Sequence, residues 1–344
     1  MSAALHYPFP DPPEIGAGVQ LADGIQWLRL PVPGGLRHIN VWLLEDDDGS
    51  TLVDTGMNVP QSRAAWQGPL AHYLQRRPLR RIICTHHHPD HAGLTAWLAA
   101  CHDVPVYTSE PELALLQRLY AEQRDPTARA ARLAGFARDG LEPTDELCRA
   151  MTVDGYLGVM SGLPTGVRIL RAGDALEAGG RRWVVLMLAG HTDGQLLLYA
   201  PASGLLIAGD QVLPRISSNI GIYRERADPD PLDSYLASFA TLEALAPEPL
   251  VLPSHGEVFY GLARRLAELR AHHQARLTAI GAMLGEPVPA AELAARLYRG
   301  TDPLNRVLAL GETLAHLRYL EVRGELLVAE APGGPRRYGA CRSG

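Results

Sequence analysis

Five times along this chain a short apolar run stops on a histidine or an aspartate beside a residue that turns the backbone. Thr51-Leu52-Val53 runs into Asp54-Thr55-Gly56, and Arg81-Ile82-Ile83-Cys84 into Thr85-His86-His87-His88-Pro89-Asp90-His91. Trp183-Val184-Val185-Leu186-Met187-Leu188 leads to Ala189-Gly190-His191, and Leu205-Leu206-Ile207-Ala208 to Gly209-Asp210. Leu250-Val251-Leu252 leads to Pro253-Ser254-His255-Gly256. Runs of this length and composition read as buried strands, and glycine lets the chain turn sharply where they end. One such run would carry little weight. Five of them require a fold that gathers strand ends, and open α/β sheets place their sites at the carboxyl ends of strands.

The densest of the five has H-x-H-x-D-H spacing through His86, His88, Asp90 and His91. Neutral imidazole and carboxylate are ligands that suit zinc and neighbouring first-row metals. The alternative is a solvated polar loop, and four of the chain's 13 histidines falling within residues 85–91 speaks against it.

Taken in order, the motifs resemble those of the metallo-β-lactamase-fold hydrolase superfamily, in its glyoxalase II-like branch, over roughly residues 25–260. The resemblance implies an α/β protein built as a four-layer αβ/βα sandwich. It implies that His86, His88 and His191 hold one divalent ion, that Asp90, His91 and His255 hold a second, and that Asp210 bridges them. Asp54 would stand behind the ligands and fix one of them by a hydrogen bond. His87 and Pro89 fall at variable positions and receive no role. Zn2+ is the first expectation for the two ions; Mn2+ or Fe remains open, because these metals share the same ligands.

Such a centre leaves a coordination position open on each ion, which marks a catalytic rather than a structural site. Two ions about 3.5–4 Å apart can share a water and lower its pKa to about 7. The expected reaction is attack by that bridging hydroxide on an activated carbonyl or phosphoester, with Asp90 orienting it and accepting its proton.

Composition removes other chemistries. All 32 basic residues are arginine, so a Walker lysine and a lysine Schiff base are both excluded. No G-x-S-x-G elbow is present, and no G-x-G-x-x-G follows a strand. Cys84, Cys101, Cys148 and Cys341 lack C-x-x-C spacing, and Cys84 reads as core. With no disulfide pattern, no secretory signal and no apolar stretch near the ~20 residues that span a bilayer, the expected location is the cytoplasm, away from membranes.

The chain divides into an extended arm over residues 1–20, a catalytic domain over 21–260, and a C-terminal domain over 261–344. Within the catalytic domain, strands are expected at 25–30, 39–44 and 50–53, and helices at 60–76 and 93–101. A helical insertion at about 117–164 would line the mouth of the site. After residue 260, helices at 262–283, 290–297 and 304–322 precede two short strands, a pattern that resembles a winged helix. Twelve arginines against eight acidic residues give that segment a charge of +4, within a total of −6. The remainder therefore carries −10, poor support for phosphate-driven nucleic-acid binding. The tail is expected to pack on the catalytic domain, bound the pocket or make a homodimer contact.

The leading functional expectation is hydrolysis of a small thioester, ester or lactone. The alternatives are an endoribonuclease or phosphodiesterase of the same fold, and a mononuclear iron persulfide dioxygenase. The full set of seven ligands argues against the dioxygenase. Arg215, Asn219 and Tyr223, just past Asp210, and Tyr156 and Met160 in the insertion, are candidate substrate contacts, with packing as the competing reading. Gln195 departs from the glyoxalase II pattern and puts a glutathione thioester in doubt.

Overall fold

The computed structural model describes residues 4–142, 144, 153–223, 227–298, 302–330 and 332–341. Seven strands form one mixed sheet in chain order: β1 (Gly18–Ala22), β2 (Ile25–Pro31), β3 (His38–Asp46), β4 (Gly49–Val53), β5 (Leu79–Ile83), β6 (Val106–Thr108) and β7 (Val167–Ile169). β1 to β4 pair antiparallel and β4 to β7 parallel. A second sheet contains β8 (Ala175–Ala178), β9 (Arg181–Leu188), β10 (Gln195–Ala200), β11 (Leu205–Gly209) and β12 (Leu250–Pro253), in the order β12-β11-β10-β9-β8. Its β11–β12 pair is parallel.

Alternation along the strands explains how the sheets stack. In β2 and β3, Ile25, Trp27, Trp42 and Leu44 meet Trp183, Val185, Leu196, Leu198 and Ile207 of the second sheet in one apolar cluster. The intervening Leu28, Leu30, Val41 and Leu43 turn outward, onto Trp66, Leu74 and Leu98 of the covering helices. Likewise Leu197, Leu206 and Val251 leave the second sheet on its outer side, toward Tyr235 and Phe239. Successive side chains of a strand point to opposite faces, so strands buried on both sides read as continuous apolar runs. The result is the expected four-layer αβ/βα sandwich.

Several boundaries differ from expectation for local reasons. The helix expected over 60–76 is two, Pro60–Gln67 and Ala71–Arg76, interrupted at Gly68-Pro69. Proline lacks the N–H and disfavours helical geometry in the residue before it. The N-terminal arm is partly strand, since β1 joins the sheet edge. Its short, half-exposed Gly-Val-Gln-Leu-Ala sequence leaves almost no alternation to detect. The insertion and the residues just before it contribute helices Glu110–Glu122, Pro126–Arg138 and Val153–Leu157. Residues 143 and 145–152 of the insertion, Cys148 among them, lie outside the described residues.

The C-terminal segment contains helix Leu262–Met283, β13 (Val288–Pro289), helices Ala290–Leu297 and Pro303–Val322, then β14 (Leu326–Ala329) and β15 (Arg337–Ala340). The three strands pair in the order β13-β15-β14. This is the helix, strand, helix, helix and hairpin order of a winged helix. Its core is not its own, however. Leu266, Leu269, Leu310 and Leu317 share one cluster with Leu197, Leu206, Phe239 and Val251 of the catalytic domain. The change at residue 261 is therefore a change of pattern and not of core.

Two fully buried histidines lie in this shared region. The His316 Nδ1–H donates to the Glu312 carbonyl at 2.8 Å, because a carbonyl can only accept. His316 Nε2 is then an acceptor for His273 Nδ1, 3.2 Å away. Burial first, and neighbouring cationic groups second, push His273 down to about 3; burial likewise pushes His316 to about 4. Both are neutral in the fold and take up protons near pH 6.5 when it opens, so stability is full above that pH and declines as pH falls toward 4. Each histidine should cost about 1.4 kcal/mol by pH 5.5. Urea unfolding from pH 7.5 to 5 should show the decline, and a His316→Gln variant should show a shallower one. A wild-type profile flat across that range would contradict the assignment.

Candidate metal centre

All five sequence motifs arrive at one edge of the sandwich. Asp54 follows β4 and the 86–91 loop follows β5; His191 lies in the β9–β10 turn, Asp210 follows β11 and His255 follows β12. Their side chains separate into two groups able to hold a metal ion: His86, His88, His191 and Asp210, and Asp90, His91 and His255. Every one is buried except His88, which is partly so. The sequence resemblance names these seven residues, with Asp210 shared between the two sets and here grouped with the first.

In the first group His86 Nε2 lies 3.0 Å from His88 Nδ1 and 3.3 Å from His191 Nε2. His191 Nε2 is 3.0 Å from His88 Nδ1 and 3.5 Å from Asp210 Oδ2. The other oxygen, Asp210 Oδ1, faces the second group, 3.5 Å from His91 Nε2 and 3.6 Å from His255 Nε2. Asp90 Oδ2 closes that group at 3.2 Å from His255 Nε2 and 3.8 Å from His91 Nε2. A single carboxylate thus presents one oxygen to each cluster.

Hydrogen bonds behind the rings decide which nitrogens face inward. His191 Nδ1 lies 2.9 Å from the Asn219 carbonyl and His255 Nδ1 2.7 Å from the His38 carbonyl. A carbonyl only accepts, so these nitrogens carry the protons and both Nε2 atoms present lone pairs. His91 Nδ1 lies 2.7 Å from Asp54 Oδ2. Asp54 also accepts from the Thr85 amide and hydroxyl, both at 2.8 Å, leaving Thr85 Oγ1 to accept from His86 Nδ1 at 3.0 Å. Asp54 does this from φ +62, a left-handed conformation uncommon outside glycine and typical of functional sites.

The pocket therefore converges ring nitrogens and carboxylate oxygens on one another, and its carboxylates favour positive charge at His91 and His255. His91 Nε2, His255 Nε2 and Asp210 Oδ1 are buried without a hydrogen-bond partner. Buried polar atoms left this way cost free energy unless something satisfies them, and a divalent cation, which takes lone pairs from several ligands at once, would do so. Burial and adjacent imidazoles hold His86 and His88 well below the usual imidazole range, in the neutral form that ligates metal. At His91 burial acts the same way, but Asp210, Asp54 and Asp90 outweigh it and push the pKa well up. The residues present fit divalent metal ions.

Residues 34–255 match the family model described as the Metallo-beta-lactamase superfamily, and the chain belongs to that superfamily. It is 26% identical over 300 residues to a protein named probable metallo-hydrolase YqjP, from Bacillus subtilis strain 168, spanning 86% of this chain and 91% of that one. A beta-lactamase domain protein from Burkholderia ambifaria is 37% identical, with a TM-score of 0.85 over 98% of this chain and 97% of its own. A metallo-beta-lactamase family protein from Thermus thermophilus is 31% identical, with a TM-score of 0.80 over 94% and 100%. Both solved structures extend the likeness through the C-terminal module. Among the described residues, no helix is long and apolar enough to cross a membrane.

The five candidate substrate contacts have other partners. Arg215 is exposed, pairs with Glu257 at 3.1 Å and lies over the Tyr7 ring. The Tyr156 hydroxyl donates to the His87 carbonyl at 2.8 Å, and its ring stacks on His87. Met160 is buried with Cys84, Leu115, Leu116 and Leu119, because the insertion needs an apolar underside. The Asn219 carbonyl serves His191, and its side chain accepts from Tyr223 at 2.7 Å. Cys84 donates its thiol to the His86 carbonyl, and burial raises its pKa well above normal, as befits core.

Sequence reasoning missed the residues that brace the site. Glu112 is buried; its Oε2 accepts from the His87 amide at 2.9 Å and from His87 Nδ1 at 2.6 Å, and its Oε1 from the Gly194 amide at 3.0 Å. It thereby joins the two loops that carry His86, His88 and His191. Ser109-x-x-Glu112 reads in sequence as an ordinary capping box, so nothing advertised the longer reach. Gln195 is buried and its Oε1 accepts from the Asp210 amide at 3.2 Å, so this departure from the glyoxalase II pattern braces a loop. Asn40 donates to the Pro253 and Gly256 carbonyls at 2.8 and 3.0 Å, tying β3 to the His255 loop. A polar residue in the middle of an apolar strand was its only signal.

Replacing Glu112 with glutamine keeps the shape but turns an amide N–H toward amide donors. The variant should lose about 1–3 kcal/mol in denaturant unfolding. An unchanged midpoint would show that the brace carries no weight.

Proposed function

We propose that this protein is a dinuclear metal-dependent hydrolase of a small thioester, ester or lactone. The observation that carries the reading is Asp210, whose two oxygens face two adjacent acceptor clusters. His86, His88 and His191 would hold one divalent ion, Asp90, His91 and His255 the other, with Asp210 shared. Bound there, two such ions supply Lewis acidity that activates a water and polarises the acyl oxygen of the substrate.

The chain's own contribution is placement and proton handling. Asp90 is buried, with its Oδ2 3.2 Å from His255 Nε2 and 3.8 Å from His91 Nε2. It is the group that takes the proton of the attacking water. The water oxygen bonds to the acyl carbon, the carbon–sulfur or carbon–oxygen bond breaks, and the proton passes to the leaving thiolate or alkoxide. Outward hydrogen bonds on His86, His91, His191 and His255 hold the rings in place throughout.

Zn2+ suits this donor set, as do Mn2+ and Fe. A cytoplasmic address fits small metabolic substrates of this kind. Against a nucleic-acid substrate stands the charge of −10 over residues 1–260. The last helix of the winged-helix module also buries Val307, Leu310, Ala315 and Leu317 in the shared core. A helix-turn-helix reads DNA with its second helix in the groove, and here the matching helix is occupied. A mononuclear iron enzyme would have no use for the second complete cluster.

Metal analysis of the purified protein should give close to two ions per chain. Asp210→Ala should lower the metal content and abolish hydrolysis across a panel of thioesters, lactones and aryl esters, while circular dichroism stays near wild type. One tightly bound iron, activity that survives Asp210→Ala, or salt-sensitive RNA cleavage in place of ester hydrolysis would each overturn the reading.

A further inference from the structure

We propose that the C-terminal module is a clamp on the loop that carries Asp210, and that Tyr223 is a positioning residue for His191. This inference rests on the functional reading above. The loop over residues 210–223 has one side in the site: it begins with Asp210, and its Asn219 carbonyl receives the His191 Nδ1–H at 2.9 Å.

The other side is held by the module at separate points. Arg265, 8% exposed on helix Leu262–Met283, donates from Nε to the Leu213 carbonyl at 2.6 Å and from Nη2 to the Ile216 carbonyl at 2.8 Å. The Ile222 amide donates to the carbonyl of Gly311, in the middle of helix Pro303–Val322, at 3.0 Å. The Tyr223 ring lies between two glycines: a Cβ at Gly221 would come within 2.6 Å of it, and one at Gly311 within 2.5 Å. From that seat its hydroxyl donates to Asn219 Oδ1 at 2.7 Å.

The chain of action is short. Gly311 leaves room for the Tyr223 ring, the Tyr223 hydroxyl orients the Asn219 side chain, and the Asn219 carbonyl fixes the tautomer and direction of His191. Tyr235, packed edge-on to His273, donates to the Gln211 carbonyl at 3.1 Å and lies 3.4 Å from Ser218 Oγ. The Ser218 hydroxyl in turn donates to the Asp210 carbonyl. Apolar packing alone would bury the module without Arg265 and the Gly311 carbonyl addressing this one loop. Groups behind a ligating histidine typically change metal affinity 10–100-fold when removed.

The test uses full-length protein stripped of metal and titrated with Zn2+ or Co2+ against a competing chelator. Tyr223→Phe keeps the ring and removes only the hydroxyl. It should weaken one of two binding steps about tenfold, leave the other unchanged, and lower kcat without raising KM. Gly311→Ala, which unseats the ring, should weaken the same step. A raised KM with both metal steps intact would make Tyr223 a substrate contact and overturn the proposal. A lowered Tm with both steps intact would reduce the module to packing and overturn it as well. If the wild type binds two ions and Tyr223→Phe is indistinguishable from it, this inference fails alone. If the wild type binds none, the functional reading fails and takes this one with it.

Discussion

The structure turns on a set of buried ring nitrogens and carboxylate oxygens that face one another in two adjacent clusters. His86 Nε2 and His191 Nε2 meet at 3.3 Å, and Asp210 Oδ1 stands 3.5 Å from His91 Nε2. Such a cluster is repulsive when it is neutral or anionic and becomes favourable around positive charge. It also requires that every donor these rings possess be directed away from the centre. The hydrogen bonds to the Asn219 and His38 carbonyls and to the Asp54 and Thr85 side chains do this. Orientation and tautomer are thus set by the same contacts. The strained backbone at Asp54 is intelligible in these terms, since one carboxylate there restrains both His91 and Thr85.

Those outward contacts show what was legible in the sequence and what was not. The inward-facing side chains were legible because metal chemistry needs particular residue types at particular spacings, and strands deliver them at recognisable ends. The sandwich was legible because Leu28 and Trp27, adjacent in sequence, must both be apolar when a sheet is covered on both faces. Outward contacts left weaker traces. His191 and His255 lean on backbone carbonyls, which any residue supplies, so the sequence marked Asn219 only as a substrate contact and His38 not at all. Glu112 reaches from a helix start to two loops 25 and 82 residues away, and its local pattern already had a sufficient explanation as a cap. β1 escaped because an edge strand with one buried residue has no period to read.

The C-terminal segment shows the limit of pattern from another side. Its helices and wing were legible from amphipathic spacing, and a self-contained winged helix is a natural reading of them. Spacing says which face of a helix is apolar and is silent on what covers it. Here Leu266, Leu269, Leu310 and Leu317 are covered by the catalytic domain, so the module acts as a wall of the larger protein. Its basic residues are partly directed inward: Arg265 faces loop carbonyls, while Arg318 and Arg323 reach the Pro229 carbonyl and Asp230 at the start of a catalytic-domain helix. A count of charges cannot distinguish arginines that wait for a phosphate from arginines already engaged by the chain.

The two clusters also draw on both sheets. The first sheet's loops supply His86, His88, Asp90 and His91, and the second supplies His191, Asp210 and His255. Under the proposed assignment each ion bonds across the sandwich, so its binding energy opposes any separation of the sheets and adds to folding stability. The reverse also holds. Trp27, Trp42 and Trp183 fill the space between the sheets, and a close-packed interior yields little to an ion of the wrong size. Donor chemistry alone admits zinc, manganese and iron alike. The aromatic core thereby sets the distance between the two halves of each donor set, through residues that are not themselves ligands.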